Sequence, residues 1–197
     1  TRPGAGGRLA LEAHKSAPPD GLTVGLTPGD QLTLFPSIYH RLGYDSLRDF
    51  APIGTVCTFP FALAIGLLVP MEVMTVADFM AWCRAHPKQA NFGSPGEGTR
   101  PHLMGAALAR AAGVELTHLP YKGGPAALQD LLAGQVAAIV SVLSNVLPHA
   151  QSGRLRVLAV SSAQRSALLP ATPTAREAGY AAFEGEEWFG VLAPAST

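Results

Sequence analysis

The chain has 197 residues with 14 Lys+Arg against 14 Asp+Glu, 48% hydrophobic and only 14% charged. Soluble chains carry about 25% charged residues, so this surface leans on small and hydroxylated side chains. A zero formal charge with no Lys/Arg run excludes the electrostatic footprint of a nucleic-acid or polybasic membrane partner. The longest apolar run, residues 61–69 between Pro60 and Pro70, falls short of the roughly 20 residues of a spanning helix, so no membrane insertion is expected. The opening TRPGAGGRL has no apolar signal core, which means a secretory signal is absent or already removed. Cys57 and Cys83 stand 26 positions apart with no His or Cys at ligand spacing; a metal site and a redox pair both lose support, and two buried thiols are expected.

In chain order the predicted elements alternate as in a mostly parallel α/β sheet. A helix opens at Gly6 or Gly7, runs to Lys15 and stops in Ala17-Pro18-Pro19-Asp20-Gly21; residues 22–26 read as a short buried strand, 27–30 as a loop, 32–39 as a short helix or turn and 50–58 as a strand. Thr75 is the predicted N-cap of a helix over 76–85, with Asp78 as the capping-box acid. A strand at 90–92 leads into the permissive loop Gly93-Ser94-Pro95-Gly96-Glu97-Gly98 and a helix over 100–112. Pro101 sits in that helix's first turn, and Leu103, Met104, Ala107, Leu108 and Ala111 form its predicted apolar stripe. Strand 115–118, helix 125–133, strand 136–142, helix 143–152 and strand 155–161 follow, then a short helix from Thr172 or Thr174 to Ala178 and a strand over 188–193.

Nucleotide and hydrolase signatures fail. Gly93 and Gly98 have P-loop spacing but are followed by Thr99-Arg100 rather than Lys and Ser or Thr. Gly4-Ala5-Gly6 lacks the third glycine of a dinucleotide fingerprint, and Phe92 stands where a nucleophile elbow wants glycine before Ser94. What is left is a helix start: the amides of Gly98, Thr99 and Arg100, the hydroxyls of Ser94 and Thr99, and His102 one turn in, are a combination that holds a carboxylate without a formal cation. The same residues also fit a plain tight connection with a solvated Arg100. Tyr121-Lys122-Gly123-Gly124 is either a second loop on the ligand side of an open sheet or an ordinary turn, and His14, His40, His86, His118 and His149 read as surface or satisfied core.

A longer succession of motifs is more specific. RPGAGG (2–7), PDGLT (19–23), YDSLRDFAPI (44–53), LPYKGG (119–124), LLAGQV (131–136), GRLRVLAV (153–160), PTAREAG (173–179) and WFGVLAPA (188–195) together resemble the Bug (TctC-type) receptors, the extracytoplasmic solute-binding proteins of tripartite tricarboxylate transporters. The resemblance runs through essentially the whole chain. It implies an α/β fold of the type II periplasmic-binding class, a clamshell of two lobes with parallel-type sheets flanked by helices. Carried onto this sequence, lobe one holds 1–60 and 160–197 and lobe two holds 61–159, with crossings near 59–62 and 158–161. The implied function is non-catalytic periplasmic capture of a small organic carboxylate and its delivery to membrane transporter subunits, without cofactor, metal or nucleic acid.

The site residues that the resemblance implies are Ser94, Gly98, Thr99 and His102 in the second lobe, with Thr27 and Asp30 in a first-lobe loop and Ser141 where the family often carries Asp. Asp30 and Glu97 either oppose a second carboxylate or face solvent. Two other readings share the sequence: an α/β enzyme working through the 94–102 loop, which lacks a base paired to a nucleophile, and a periplasmic ligand sensor. The chain begins at the family's second conserved stretch and stops before its C-terminal helix. One complete lobe and part of another are therefore expected, with weak binding and a tendency to associate through an unpaired sheet edge.

Overall fold

The structure is a computed structural model describing residues 4–197; Arg2 and Pro3 of the first motif lie outside the described residues. In chain order the helices are α1 (Arg8–Lys15), α2 (Asp30–Thr33), α3 (Phe35–Ile38), α4 (Val76–Ala85), α5 (Arg100–Ala112), α6 (Gly124–Leu132) and α7 (Leu143–Gln151). The strands are β1 (Gly25–Pro28), β2 (Phe50–Ile65), β3 (Asn91–Ser94), β4 (Thr117–Pro120), β5 (Ala138–Val142), β6 (Arg156–Val160) and β7 (Glu186–Pro194). The described residues divide into two compact units: unit 1 comprises residues 4–59, 98–100 and 187–197, and unit 2 residues 60–97 and 101–186.

Unit 2 is built on strands in the order β6-β2-β5-β3-β4. β3 pairs in parallel with β4 and β5, whereas β2 pairs antiparallel with β5 and β6. The sheet is therefore mixed rather than parallel throughout, because β2 enters it against the direction of its neighbours. Ala62, Ala64, Leu131, Ile139, Val146 and Val160 form one buried cluster between sheet and helices. The helix over 76–85 forms as expected: Thr75 Oγ1 accepts from Asp78 N at 3.0 Å and Asp78 Oδ2 accepts from Thr75 N at 3.0 Å, satisfying two orphan amides reciprocally. The buried face of α5 is Pro101, Met104, Gly105, Leu108 and Ala109, an i, i+3, i+4, i+7, i+8 stripe. Leu103 and Ala111 of the expected stripe are exposed; Gly105 replaces them, and its missing Cβ leaves room for the Phe92 ring.

Residues 161–186 group with unit 2, whereas the resemblance assigns 160–197 to lobe one. Hydrogen bonds explain the grouping: Ser161 Oγ accepts from Phe61 N at 2.7 Å and donates to Gly185 O at 2.6 Å, and Ala175 N donates to Val160 O at 2.8 Å. The helix expected after Thr174 is a single turn. Thr174 Oγ1 accepts from Glu177 N at 3.1 Å and Glu177 Oε2 from Thr174 N at 2.8 Å, but Thr174 is already bridged to Val160, which holds the segment against β6.

In unit 1, β1 pairs antiparallel with β7, Gly25 opposite Leu192 through Pro28 opposite Phe189. Leu11, Tyr44, Phe50 and Leu192 form its core cluster, and His14 stacks on Phe50 with Nε2 3.2 Å from Leu192 O. The strand predicted at 22–26 is displaced to 25–28. Asp20 Oδ1 accepts from Leu22 N at 2.9 Å, an Asx turn that ends the approach, and Leu22 and Val24 are exposed. β2 runs on to Ile65, past the strand predicted over 50–58, with residues 52–58 exposed. Cys57 is accordingly exposed, against the expectation of burial, while Cys83 is buried.

Candidate functional site

Unit 1 gathers three of the predicted residues around the approach to α5. Asp30 opens α2 and is 3% exposed; its Oδ2 accepts from the backbone N of Arg100 at 3.0 Å. Of the three helix-start amides that the sequence offers either to a carboxylate or to a plain connection, that of Arg100 is thus taken by the chain's own carboxylate. Arg100 is partly exposed and ion-paired: its Nε lies 2.9 Å from Oε2 of Glu187, whose side chain is 2% exposed. Burial pushes Asp30 up to about 6, with the nearby Glu187 charge adding to the rise and the Arg100 amide and guanidinium opposing it. Asp30 Oδ1 is buried and has no hydrogen-bond partner. Gly98, at φ +75°, supplies the turn, and any Cβ there would collide with Tyr39 Oη. Thr99 is buried, while Glu97 is exposed. Of the two readings open for these acids, facing solvent fits Glu97 and not Asp30.

Thr27 stands apart from this cluster. Its hydroxyl donates to Gln31 Oε1 at 2.6 Å, and Gln31 Nε2 donates to Gly6 O at 2.9 Å. Thr27 therefore braces α2 against the start of α1, beside an open cavity of about 430 Å³ lined also by His14 and Leu26.

Unit 2 holds Ser94, His102 and Ser141. Ser94 is fully buried at the end of β3, and its Oγ lies 2.7 Å from His118 Nε2 and 3.1 Å from Gly96 O. The His102 ring stacks on His118 with centroids 3.8 Å apart. Burial, reinforced by the His102 ring, pushes His118 down to about 4, and burial also lowers His102. In both rings the shift favours the neutral imidazole. This pairing was missed: the sequence reading found no base beside a serine, and the structure supplies one. The signal lay in the parallel register, Phe92 opposite His118, which puts Ser94 on the same face two residues on.

Ser141 lies elsewhere in unit 2, on β5, 1% exposed and with Oγ unpartnered. Its surroundings are Gly124 at the start of α6 and Asn145 on α7. Tyr121 of the preceding loop is engaged in donating to Asp130 Oδ2 at 2.8 Å, and Lys122 is exposed.

Residues 1–197 match the profile of the tripartite tricarboxylate transporter family receptor, TctC. The chain belongs to that family. Among curated TctC relatives it is 34% identical over 201 residues to protein BugT of Bordetella pertussis, covering all of this chain and 60% of BugT. Among solved structures it matches the periplasmic binding protein BugD at TM-score 0.92 and 32% identity, over 99% of this chain and 64% of BugD. A Rhodopseudomonas palustris protein with adipate matches at TM-score 0.92 and 32% identity, over 100% of this chain and 65% of that one. The chain spans little more than half the length of the curated relatives it matches. No helix among the described residues is long and apolar enough to cross a membrane.

Proposed function

We propose that this TctC-family chain is ligand-binding sequence of a periplasmic receptor that captures a small organic carboxylate and delivers it to a tripartite tricarboxylate-type membrane transporter. The observation that carries the reading is the TM-score of 0.92 to the R. palustris protein with adipate. It is supported by the hydroxyls of Thr99 and Ser141, by Gly98, and by the Ser94, His102 and Thr27 positions that brace the surrounding loops. Asp30, held on Arg100, sets the shape of its loop and repels a second negative charge. The lobe division implied by the family, 1–60 with 160–197 and 61–159, differs from the grouping here in residues 161–186, which belong with unit 2.

Calorimetry of the chain with adipate, shorter dicarboxylates and the corresponding neutral diamides tests this. Saturable binding of an acid and none of its diamide is expected, with Thr99→Ala weakening it by about 1.5–3 kcal/mol, the value of a hydrogen bond to a charged group. Diamides that bind as well as the acids overturn the carboxylate reading.

One observation favours a second reading. Ser94 and His118 have the spacing of a nucleophile and base. Ser94 is fully buried, however, and its hydroxyl also lies within bonding reach of Gly96 O, so the pair clasps the loop instead of presenting a nucleophile. That burial supports reading the protein as a binder rather than an enzyme. A fluorophosphonate probe is expected to leave Ser94 unmodified; stoichiometric labelling at Ser94 reverses the conclusion.

A further inference from the structure

The start of α6 in unit 2 has a feature that its role as a sheet connection does not explain. A Cβ on Gly124 would sit 3.2 Å from Asn145 Nδ2 and 3.5 Å from Ser141 Oγ. The absent side chain therefore leaves a niche faced by an amide and a hydroxyl from two other elements, α7 and β5. Ser141 is 1% exposed and its Oγ has no partner. A buried hydroxyl left unsatisfied costs roughly 1–3 kcal/mol, a loss that a ligand reaching it recovers. α6 spans nine residues, and Gly123 N is already committed to Pro95 O at 3.1 Å. Pro125 has no N–H, which leaves the amides of Gly124 and Ala126 as donors of that first turn, where the helix dipole favours negative charge.

We infer that Ser141 Oγ, Asn145 Nδ2 and the Gly124 amide form a subsite for one carboxylate oxygen of the ligand, with Asn145 and Gly124 as binding residues that sequence reading did not single out. The inference rests on the carboxylate-capture reading and deepens it. Two uncharged side-chain donors and a helix end accept a carboxylate without a partner cation. A ligand ammonium group brings a further donor to a subsite where Asn145 Nδ2 and the Gly124 amide already donate, and is disfavoured. The end group selected here is thus an unprotonated acid, not an amine.

The test is a titration of the isotopically labelled chain with sodium acetate and, separately, with adipate, following the Gly124 amide and the Asn145 side-chain NH₂ by NMR, with methylammonium chloride at matched ionic strength as the cationic control. Saturable shifts at both groups with the acids and none with methylammonium are expected. Ser141→Ala and Gly124→Ala should each weaken the response at least tenfold. Gly124→Ala keeps a backbone conformation open to alanine and fills the niche with one methyl, so it separates blocking from unfolding, and an unchanged spectrum elsewhere verifies the fold. If other resonances titrate with the acids while these two stay fixed, carboxylate capture stands and the subsite is refuted. If nothing titrates, both fall. A response undiminished in Gly124→Ala also refutes the subsite.

Discussion

Asp30 and His118 are two buried titratable side chains whose contributions to stability run in opposite directions with pH. Asp30 is raised from 3.8 to about 6. Between those values the native chain keeps a proton that the unfolded chain has lost, so stability falls as pH rises through the window and the full cost is present above it. At about 1.4 kcal/mol per pH unit that cost is on the order of 3 kcal/mol. Asp30→Asn should therefore raise the denaturation midpoint at pH 7.5 relative to the wild type and lose that advantage near pH 4, as read by urea unfolding at the two values. His118 is lowered from 6.5 to about 4. There the unfolded chain takes up the proton first, and stability is lost as pH falls from 6.5. His118→Gln, which keeps an acceptor for Ser94, should flatten that acid loss in the same measurement. The cysteines give a simpler contrast. Cys57 is exposed and Cys83 is buried, with its thiol pushed up to about 12 by burial; a disulfide reagent at pH 8 should modify one thiol rapidly and the other only on unfolding.

Connections between elements depend on a few side chains that span them. Arg156 at the start of β6 donates to Pro70 O at 2.6 Å, Val73 O at 3.0 Å, Val69 O at 2.6 Å and Gly66 O at 3.5 Å. One guanidinium thereby satisfies the carbonyls of the whole turn before α4. The forked donor is what makes this work, and an ammonium cannot reach four acceptors at once. Arg156→Lys should retain the fold but leave residues 66–74 open to limited proteolysis at a rate well above wild type. At the approach to α5 the constraint is backbone: Gly98→Ala forces a Cβ into φ +75° and against Tyr39 Oη. The conformational part alone costs roughly 1–2 kcal/mol, visible as a lowered midpoint in thermal unfolding. At this scale the sequence was legible where the signal is local. The Thr75–Asp78 box and the Pro101 first turn form where they were read. The strand at 22–26 was not, because three apolar residues in alternation do not reveal that Asp20 turns the chain.

Across the whole chain the two units differ in how much apolar surface they enclose. Among the described residues, one buried apolar cluster of unit 2 holds ten residues and one of unit 1 four, and Leu63, Phe79 and Met80 are further buried side chains of unit 2, so the two should not open with equal free energy. Hydrogen exchange read by mass spectrometry should find the amides of β5 the slowest and those of β1 and of residues 52–58 among the fastest; uniform protection would show one cooperative unit. The sequence by itself determined the family, the α/β alternation and the loop-helix segment at 93–112, because periodicity, caps and motif order are written along the chain. It also named Asp30, Ser94, Gly98 and Ser141 as residues of interest. Only the tertiary structure decided which partners they have. Asp30 accepts from the Arg100 amide, His118 clasps Ser94, and Ser141 faces the start of α6. Each of these partnerships joins residues from separate elements, 70 positions apart for Asp30 and Arg100 and 24 for Ser94 and His118. Burial and strand register create them, and neither is encoded in local spacing.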